Sequence, residues 1–270
     1  MSEENKVRDV VDAVKGFVEA VPVYKDALQP AAIEIGTALQ TVAKTIHIVL
    51  APISALVWGF EQIKQFVLTR VAEKLQNVPT ENIVTPPPHV AVPALEALRY
   101  VGHEETLREL YANLLATALD KDTIKYAHPS YVEIIKNMSP DEARIVNLFA
   151  IRNSFPIIDI NAKEKDKSGH STVMKSFSHL GNEASCIFVD LVPTYLDNLC
   201  RLGLAQIPFG THLTAPGTYE PLENDNSLEP IKKYITEKID RAVVIDRRVL
   251  IVTELGKQFC KACVIEKTAQ

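Results

Sequence analysis

An uncharged run enclosed by Lys44 and Glu61 constrains this chain more than any other feature. Its sixteen residues, TIHIVLAPISALVWGF, carry no formal charge and few polar side chains. A helix needs roughly 20 apolar residues to cross a bilayer, and extending the run would bring charged flanking residues into the hydrocarbon. The run therefore predicts a helix that is buried in its own domain or in an oligomer, with membrane contact as the alternative.

Large apolar residues recur along this segment at steps of three or four and trace one face of a helix. Pro52 lies inside the segment, and we expect a kink or break there because the proline ring displaces the carbonyl four residues earlier. The opposite face carries small or weakly polar groups, which suits close packing against another helix. The candidate interaction face consists of Val42, Ile46, Val49, Ile53, Leu56, Phe60 and Ile63.

The length of the chain, 270 residues, is enough for about two domains. Three successive prolines at 86–88 cannot lie inside a helix, so they predict an extended connector. Helical periodicity resumes at Pro93. We therefore divide the chain into an N-terminal helical segment with the long apolar helix (1–78), a proline-rich linker (79–92), a helical domain that can pack with the first segment (93–138), and a C-terminal domain (139–265).

Two capping boxes predict helix starts near the beginning of the C-terminal domain. In each, a serine oxygen accepts a main-chain N–H of the first turn and a glutamate three residues later returns the bond. Ser130 with Glu133 and Ser139 with Glu142 both fit this pattern. Pro140 then occupies a first helical position, which strengthens the second prediction.

The C-terminal domain mixes helix and strand patterns. We predict strands at 155–160, 204–208, 242–245 and 249–252, a polar loop at 161–181, a helix at 193–202 closed by Gly203, and helices at 228–239 and 254–264. This order is that of a winged-helix unit with an insertion in its wing. The predicted fold class is mainly α, with a small α+β winged-helix-like C-terminal domain.

Compartment and cofactor use follow from the N-terminus and the cysteines. The opening residues, MSEENKVRDVVD, lack the basic stretch and apolar run of a secretory signal, so we expect a cytoplasmic protein, with membrane association as an alternative. Four cysteines are too sparse for a disulfide scaffold. Cys260 and Cys263 have the spacing of a metal or thiol-exchange site, but without a second such pair packing is favoured. We expect no cofactor and no metal.

The candidate polar site consists of His103, Glu104, Arg108 and His128. A metal or acid–base site here needs the helices to fold back so that His128 joins the other three. Carboxylates at a helix start also favour the positive end of the helix dipole, so capping explains Glu104 without a function.

Three arginines flank the predicted wing strands and are the candidate nucleic-acid contacts: Arg241, Arg247 and Arg248. Basic side chains at this place in a nucleic-acid binder meet phosphates. Asp240 and Asp246 are their neighbours, so we expect a neutralised surface instead. The net charge of −5 also argues against a surface that is basic throughout.

Three stretches together resemble the abortive infection alpha family. They are LAPISALVWGFEQI, VAVPALEALRYVGHEETLRELYANLLATALD and AHPSYVEIIKNMSPDEARIV, and the resemblance covers roughly residues 50–149. The family groups bacterial proteins linked to phage defence and is otherwise a domain of unknown function. The resemblance implies a defence role and transfers no catalytic residue.

We expect a non-enzymatic protein that acts through a protein partner or a homo-oligomer, with membrane contact as a further option. The sequence lacks a glycine-rich phosphate loop, a GxSxG elbow, an HExxH motif and a nucleotide fingerprint, which argues against the known hydrolase and kinase classes. A DNA-binding regulator that uses the C-terminal domain and an enzyme of unrecognised type are the alternatives. Nucleic acid is not the favoured partner.

Overall fold

A computed structural model of the chain describes residues 58–164 and 169–266. Among them, 58–137 and 261–266 belong to one compact unit, and 138–164 with 169–260 belong to a second. Five residues of the candidate interaction face lie outside the described residues: Val42, Ile46, Val49, Ile53 and Leu56. The predicted kink at Pro52 lies outside them as well. The four predicted domain limits stay predictions.

The first unit is helical. Helix α1 (Phe60–Phe66) continues through a π-helical stretch (Val67–Val71) into α2 (Ala72–Leu75), and a 3-10 turn (Thr80–Asn82), α3 (Pro88–Val101), α4 (Glu105–Ala118), a second 3-10 turn (Ile124–Tyr126) and α5 (Ser130–Lys136) follow. Its core is built from aliphatic residues at helical spacing that are fully buried: Ile63, Val71, Leu75, Leu95, Leu98, Leu114 and Leu115. The end of the predicted apolar face at Ile63 therefore packs inside this unit.

Helix α3 begins five residues before its predicted start at Pro93. Pro88 lies in its first turn, where a missing N–H costs no intrahelical bond, and Pro93 lies inside the helix. Residues 88–92, which the sequence placed in the linker, are therefore helical. The prediction was wrong because it treated three prolines as one extended block, although only Pro86 and Pro87 precede the helix.

One of the two predicted capping boxes is confirmed. Ser139 Oγ accepts the N–H of Glu142 at 3.2 Å, and the Glu142 carboxylate accepts the N–H of Ser139 at 2.6 Å. The other was wrong, because Ser130 is the first residue of α5 and does not cap it. The His128 ring takes that place, since its Nδ1 accepts the N–H of Ser130 at 3.2 Å.

The second unit combines helices with a sheet. Its elements are α6 (Pro140–Phe149), β1 (Ser154–Lys163), β2 (His170–Phe177), α7 (Leu180–Glu183), a 3-10 turn (Val189–Leu191), α8 (Val192–Arg201), β3 (Ala205–Gln206), α9 (Glu220–Glu223), a 3-10 turn (Asn226–Leu228), α10 (Glu229–Lys233), a π-helical stretch (Tyr234–Lys238), β4 (Ala242–Val252) and α11 (Glu254–Phe259), which a π-helical stretch (Cys260–Val264) extends. The protein is thus mainly α with a small α+β part, which confirms the predicted fold class at this level. No helix within 58–164 and 169–266 is long and apolar enough to cross a membrane.

The four strands form an antiparallel sheet in the order β2-β1-β4-β3. Two predictions about it were wrong. Residues 161–181 are not one polar loop, since they contain the end of β1 and all of β2. The two strands predicted at 242–245 and 249–252 are one strand, β4, of eleven residues. Main-chain pairing with β1 continues through the charged residues between them, because ladder bonds do not depend on side-chain polarity.

One face of the sheet carries a hydrophobic core. Ile158, Ile160 and Ala162 of β1 alternate along the strand and are buried, as the two-residue period of a strand requires. The insertion between β3 and β4 supplies their partners Tyr219, Leu222, Leu228 and Ile235. The insertion is therefore part of the core of this unit.

Candidate interaction sites

The uncharged run enters the described structure at Trp58, which is anchored to the turn between α3 and α4. Its N–H donates to the carbonyl of Arg99 at 3.1 Å. Its indole lies so close to Gly102 that a Cβ added there would sit 2.1 Å from the ring. Phe66 adds an edge contact, with ring centroids 5.5 Å apart. Gly102 is thus required for close approach of the indole.

Arg108 completes this anchor. Its guanidinium lies 5.7 Å from the Trp58 ring centroid and 5.8 Å from that of Phe66, within cation–π range. Its Nη1 donates to the carbonyl of Gly102 at 3.1 Å. Among residues 58–164 and 169–266 the buried Nε has no hydrogen-bond partner, so the aromatic faces provide much of what this charged group meets.

The predicted polar residues occupy different places around this anchor. The ring of His103 lies 6.1 Å from that of Trp58, beside Arg108. Glu104 is the N-cap of α4, where its side chain makes no capping bond. His128 instead contacts Ser130, with its Nδ1 2.7 Å from Oγ, and the ring of Tyr131. The local contacts thus hold His103 and Arg108 at Trp58 and His128 at the start of α5.

The end of the described chain is held by α4. Asn113 donates to the carbonyl of Cys263 at 2.9 Å, and Thr117 donates to that of Ala262 at 3.0 Å. The buried ammonium of Lys74 pairs with Glu109 at 3.0 Å and with Glu266 at 3.1 Å. Removing the C-terminal residues would therefore leave buried polar groups of α4 without partners.

Glu109 also accepts two hydrogen bonds from the guanidinium group of Arg70, from Nε to Oε1 at 2.9 Å and from Nη2 to Oε2 at 3.1 Å. Burial alone would raise the pKa of Glu109, but the hydrogen bonds from Arg70 and Lys74 lower it. The same pairing raises the pKa of Arg70. These charges stay ionised in the fold and stabilise it, which leaves Glu109 unsuited to proton transfer near neutral pH.

In the second unit, four donors converge on the buried carboxylate of Asp141. The N–H groups of Ile187 and Phe188 each lie 2.9 Å from its oxygens, the Tyr195 hydroxyl 3.1 Å and Arg144 Nη1 2.6 Å. Burial alone would raise the pKa of Asp141, but these hydrogen bonds lower it. Burial and the bond to this anion raise the pKa of Tyr195 to about 12.

The main chain that Asp141 holds leads into residues 187–191, which we call the apolar loop. Four of its five side chains are large, apolar and exposed, with exposed fractions of 68% for Ile187, 57% for Phe188, 37% for Val189 and 43% for Leu191. The fifth is Asp190, which is also exposed. The sequence analysis missed both the loop and its anchor. The only available signal was an apolar run, IFVDL, before a proline-initiated helix.

The three candidate nucleic-acid arginines are each paired with a carboxylate. Arg241 contacts Glu164 at 2.8 Å, Arg247 holds Glu223 with two bonds of 2.6 and 2.9 Å, and Arg248 contacts Asp159 at 3.1 Å. The hydrogen bond from Arg247 lowers the pKa of Glu223. The sequence predicted neutralisation by Asp240 and Asp246, whereas these pairs use other carboxylates, from β1, α9 and the β1–β2 turn.

The cysteines are packed and not activated. Cys260 and Cys263 are buried, and burial raises the pKa of Cys260 to about 12. Burial and the neighbouring Asp141 raise that of Cys186 to about 11. A thiol with such a pKa is protonated at neutral pH and is a poor nucleophile or metal ligand. Across the described ranges, no group of three His, Cys, Asp or Glu side chains could hold a metal ion.

These features define a mainly α protein with a small α+β unit, in which the predicted polar residues largely serve the fold. The sequence matches the abortive infection alpha family over residues 59–263. The chain therefore belongs to the abortive infection alpha family, and the match extends well beyond the segment from which the resemblance was first drawn.

Two further comparisons add little. A solved structure of an uncharacterized protein from the hydrocarbon-degrading marine bacterium Alcanivorax borkumensis SK2 is similar at 18% identity and a TM-score of 0.35, covering 52% of this chain and 92% of that one. No functionally curated protein matches the chain.

Replacing Gly102 with alanine tests the Trp58 anchor. The added Cβ has no room beside the indole, so Trp58 moves toward water and the fold loses about 1–3 kcal/mol of stability. Because the chain has a single tryptophan, its emission shifts to the red. The control is Gly169→Ala, where a Cβ meets nothing within 4 Å. Equal emission spectra for the two variants would contradict the anchor.

Replacing Asp141 with asparagine tests the carboxylate that holds the apolar loop. Loss of charged hydrogen bonds lowers the free energy of unfolding by about 3 kcal/mol at pH 7. Since the folded pKa is depressed, this advantage of the wild type is present above the unfolded pKa of about 3.9 and disappears as the pH falls further. Urea unfolding between pH 7 and pH 2 measures it. Glu237→Gln, at an exposed carboxylate of the same unit, is the control, and an equal, pH-independent loss in both would count against this role.

Proposed function

We propose that this chain is a phage-defence protein of the abortive-infection type that acts by contact with a protein partner, with further copies of itself or with a membrane, and not through a catalytic site. The observation that carries the proposal is the anchoring of Trp58 on Gly102. It fixes Trp58, near the end of the uncharged run, to the helical unit. We further propose that the protein works in the cytoplasm, since its cysteines are thiols and not disulfides, as a reducing compartment favours.

The state of the polar residues supports this choice. Arg108 and His103 surround Trp58, and Lys74 and Glu109 neutralise one another. An acid–base site needs a group whose pKa lies near the working pH and whose atoms are open to a substrate. Burial raises the pKa of Cys260 and Tyr195, and hydrogen-bonding partners lower the pKa of Asp141, so these pKa values lie away from neutrality.

The apolar residues support it as well. The predicted face that runs through the uncharged segment ends at Ile63, which is fully buried in the helical unit. The face therefore serves helix packing at its described end. In this proposal the remaining apolar residues of the predicted face contact the partner, and their burial would stabilise the contact by roughly 25 cal/mol per Å².

A plaque assay with a cell-survival readout tests the proposal. Ile53→Asp places a charge on the apolar face, and we expect it to abolish protection. Thr41→Asp places the same charge on the opposite face, and we expect protection to remain. Both proteins must accumulate to wild-type levels. Full protection by Ile53→Asp would contradict the contact mechanism. Loss of protection when His103, Glu104 and His128 are replaced by alanine would indicate catalysis instead.

A DNA-binding regulator is the second candidate, and one observation favours it. Apart from β2 and the helical insertion between β3 and β4, the order α6, β1, α7, α8, β3, β4, with β4 between β1 and β3, follows the order of a winged-helix unit. The exposed side of α8 argues against it, since Asp197 pairs with Lys175 at 3.0 Å where a recognition helix presents basic groups to phosphate.

Fluorescence anisotropy with a labelled duplex distinguishes the two candidates. We expect no binding that weakens between 50 and 200 mM salt, because the three wing arginines are already neutralised. Salt-dependent binding that is reduced by Arg247→Ala but kept in Lys136→Ala, a lysine of α5, would establish the regulator instead.

A further inference from the structure

The apolar loop, residues 187–191, is held by the buried Asp141 while its side chains stay exposed. Two N–H bonds to the buried Asp141 hold its backbone, and Val189 lies close to Gly181. Ile187 and Phe188 nevertheless stay 68% and 57% exposed. A rigid loop that presents adjacent apolar side chains loses little conformational entropy when it binds, which is the condition for a docking site.

The chemistry of the loop specifies what can cover it. The occupant must be apolar, to bury Ile187, Phe188 and Leu191, and it must bring one basic group, because Asp190 is an exposed carboxylate between them. A fully buried aromatic side chain contributes about 150–250 Å², so these half-exposed groups together cover a few hundred Å². A stable interface needs about 800 Å² per partner, so one such contact is too small alone.

We infer that the apolar loop binds the uncharged run, residues 45–57, of a second copy of this chain. Between residues 35 and 60 the only charged side chain is Lys44, at the start of the run. Lys44 and the run that follows it thus combine a single cation with apolar residues, the complement of an apolar loop with a single anion. This inference rests on the proposed function, in which the run makes the contact.

The arrangement of the chain permits such an exchange. Fifty-seven residues precede Trp58, whose position is fixed by Gly102. A segment of the length of the run spans up to ~45 Å when extended, at about 3.3–3.6 Å per residue. In a twofold dimer the contact occurs twice, since each copy supplies a run and a loop. The doubled area then approaches that of a stable interface.

A charge-reversal cycle on the full chain tests the inference by sedimentation equilibrium. The wild type is expected to dimerise at micromolar concentration, and Asp190→Lys and Lys44→Glu each to weaken the dimer about tenfold or more. The double variant restores it, because the two charges again have opposite signs. Glu237→Lys makes the same charge change at an exposed site of the same unit and leaves the dimer unchanged.

Several outcomes overturn the inference. A wild type that is monomeric at every concentration excludes the second copy. A double variant no tighter than the weaker single variant excludes the Lys44 to Asp190 contact. Sedimentation with phosphatidylcholine vesicles tests a membrane as the alternative occupant. Vesicle binding that Phe188→Ser abolishes would assign the loop to lipid. Circular dichroism and urea unfolding confirm that each variant is folded.

Photocrosslinking identifies the occupant directly. Benzoylphenylalanine replaces Phe188, and unlabelled chains are mixed with chains labelled with ¹⁵N. The expected product joins position 188 to residues 45–57 as a hybrid of one labelled and one unlabelled peptide. Products formed only within one chain, or to other segments, contradict it. If Ile53→Asp loses protection but the charge reversals do not change dimerisation, the docking is rejected and the proposed function stands. If protection is kept but the charge reversals change dimerisation as expected, the function is rejected and the docking stands.

Discussion

The α+β unit depends on the burial of the Asp141 carboxylate. An unpaired buried carboxylate would cost several kcal/mol, so its two oxygens must be met by donors from the fold. Those donors are two N–H groups of the apolar loop, the hydroxyl of Tyr195 in α8 and the guanidinium of Arg144 in α6. One charge thus positions the loop against both helices. Because the main chain of the loop turns inward to reach Asp141, its apolar side chains are left facing outward.

The helical unit follows the same principle with a different set of groups. Its central helix α4 presents Asn113 and Thr117 to main-chain carbonyls of residues 262–263, and Glu109 to Lys74 and Arg70. Asn113 and Thr117 have these partners only when the C-terminal residues are in place. Glu109 instead pairs with Lys74 of α2 and with Arg70 of the preceding π-helical stretch. Partners distant in sequence therefore complete this unit, and a shortened chain would leave buried donors and acceptors unmet.

Many charged side chains in the described structure of this member of the abortive infection alpha family pair within the fold. The arginines near the wing neutralise Glu164, Glu223 and Asp159, and Arg108 lies over aromatic rings. The described structure also exposes the apolar side chains of the loop at 187–191, and it holds Trp58, near the end of the uncharged run, in the helical unit. The proposed function, by contact, would use apolar surfaces of this kind.

The sequence by itself determined the features that depend on residues a few positions apart. The Ser139 capping box, the α8 helix closed by Gly203 in the left-handed region and the mainly α composition with late strands could all be predicted, as could the family. Only the tertiary structure decided where polar residues could be buried. Asn161 was predicted as loop but lies in β1, where it donates to Asp246 of β4 from 85 positions away, and Asp159, inside a predicted strand, is buried beside Arg248 of β4 from 89 positions away. No local pattern predicted a role for Asp141 or Gly102. Their roles arise from the loop and the indole that folding brings to them, and a local pattern carries no record of partners so distant in sequence.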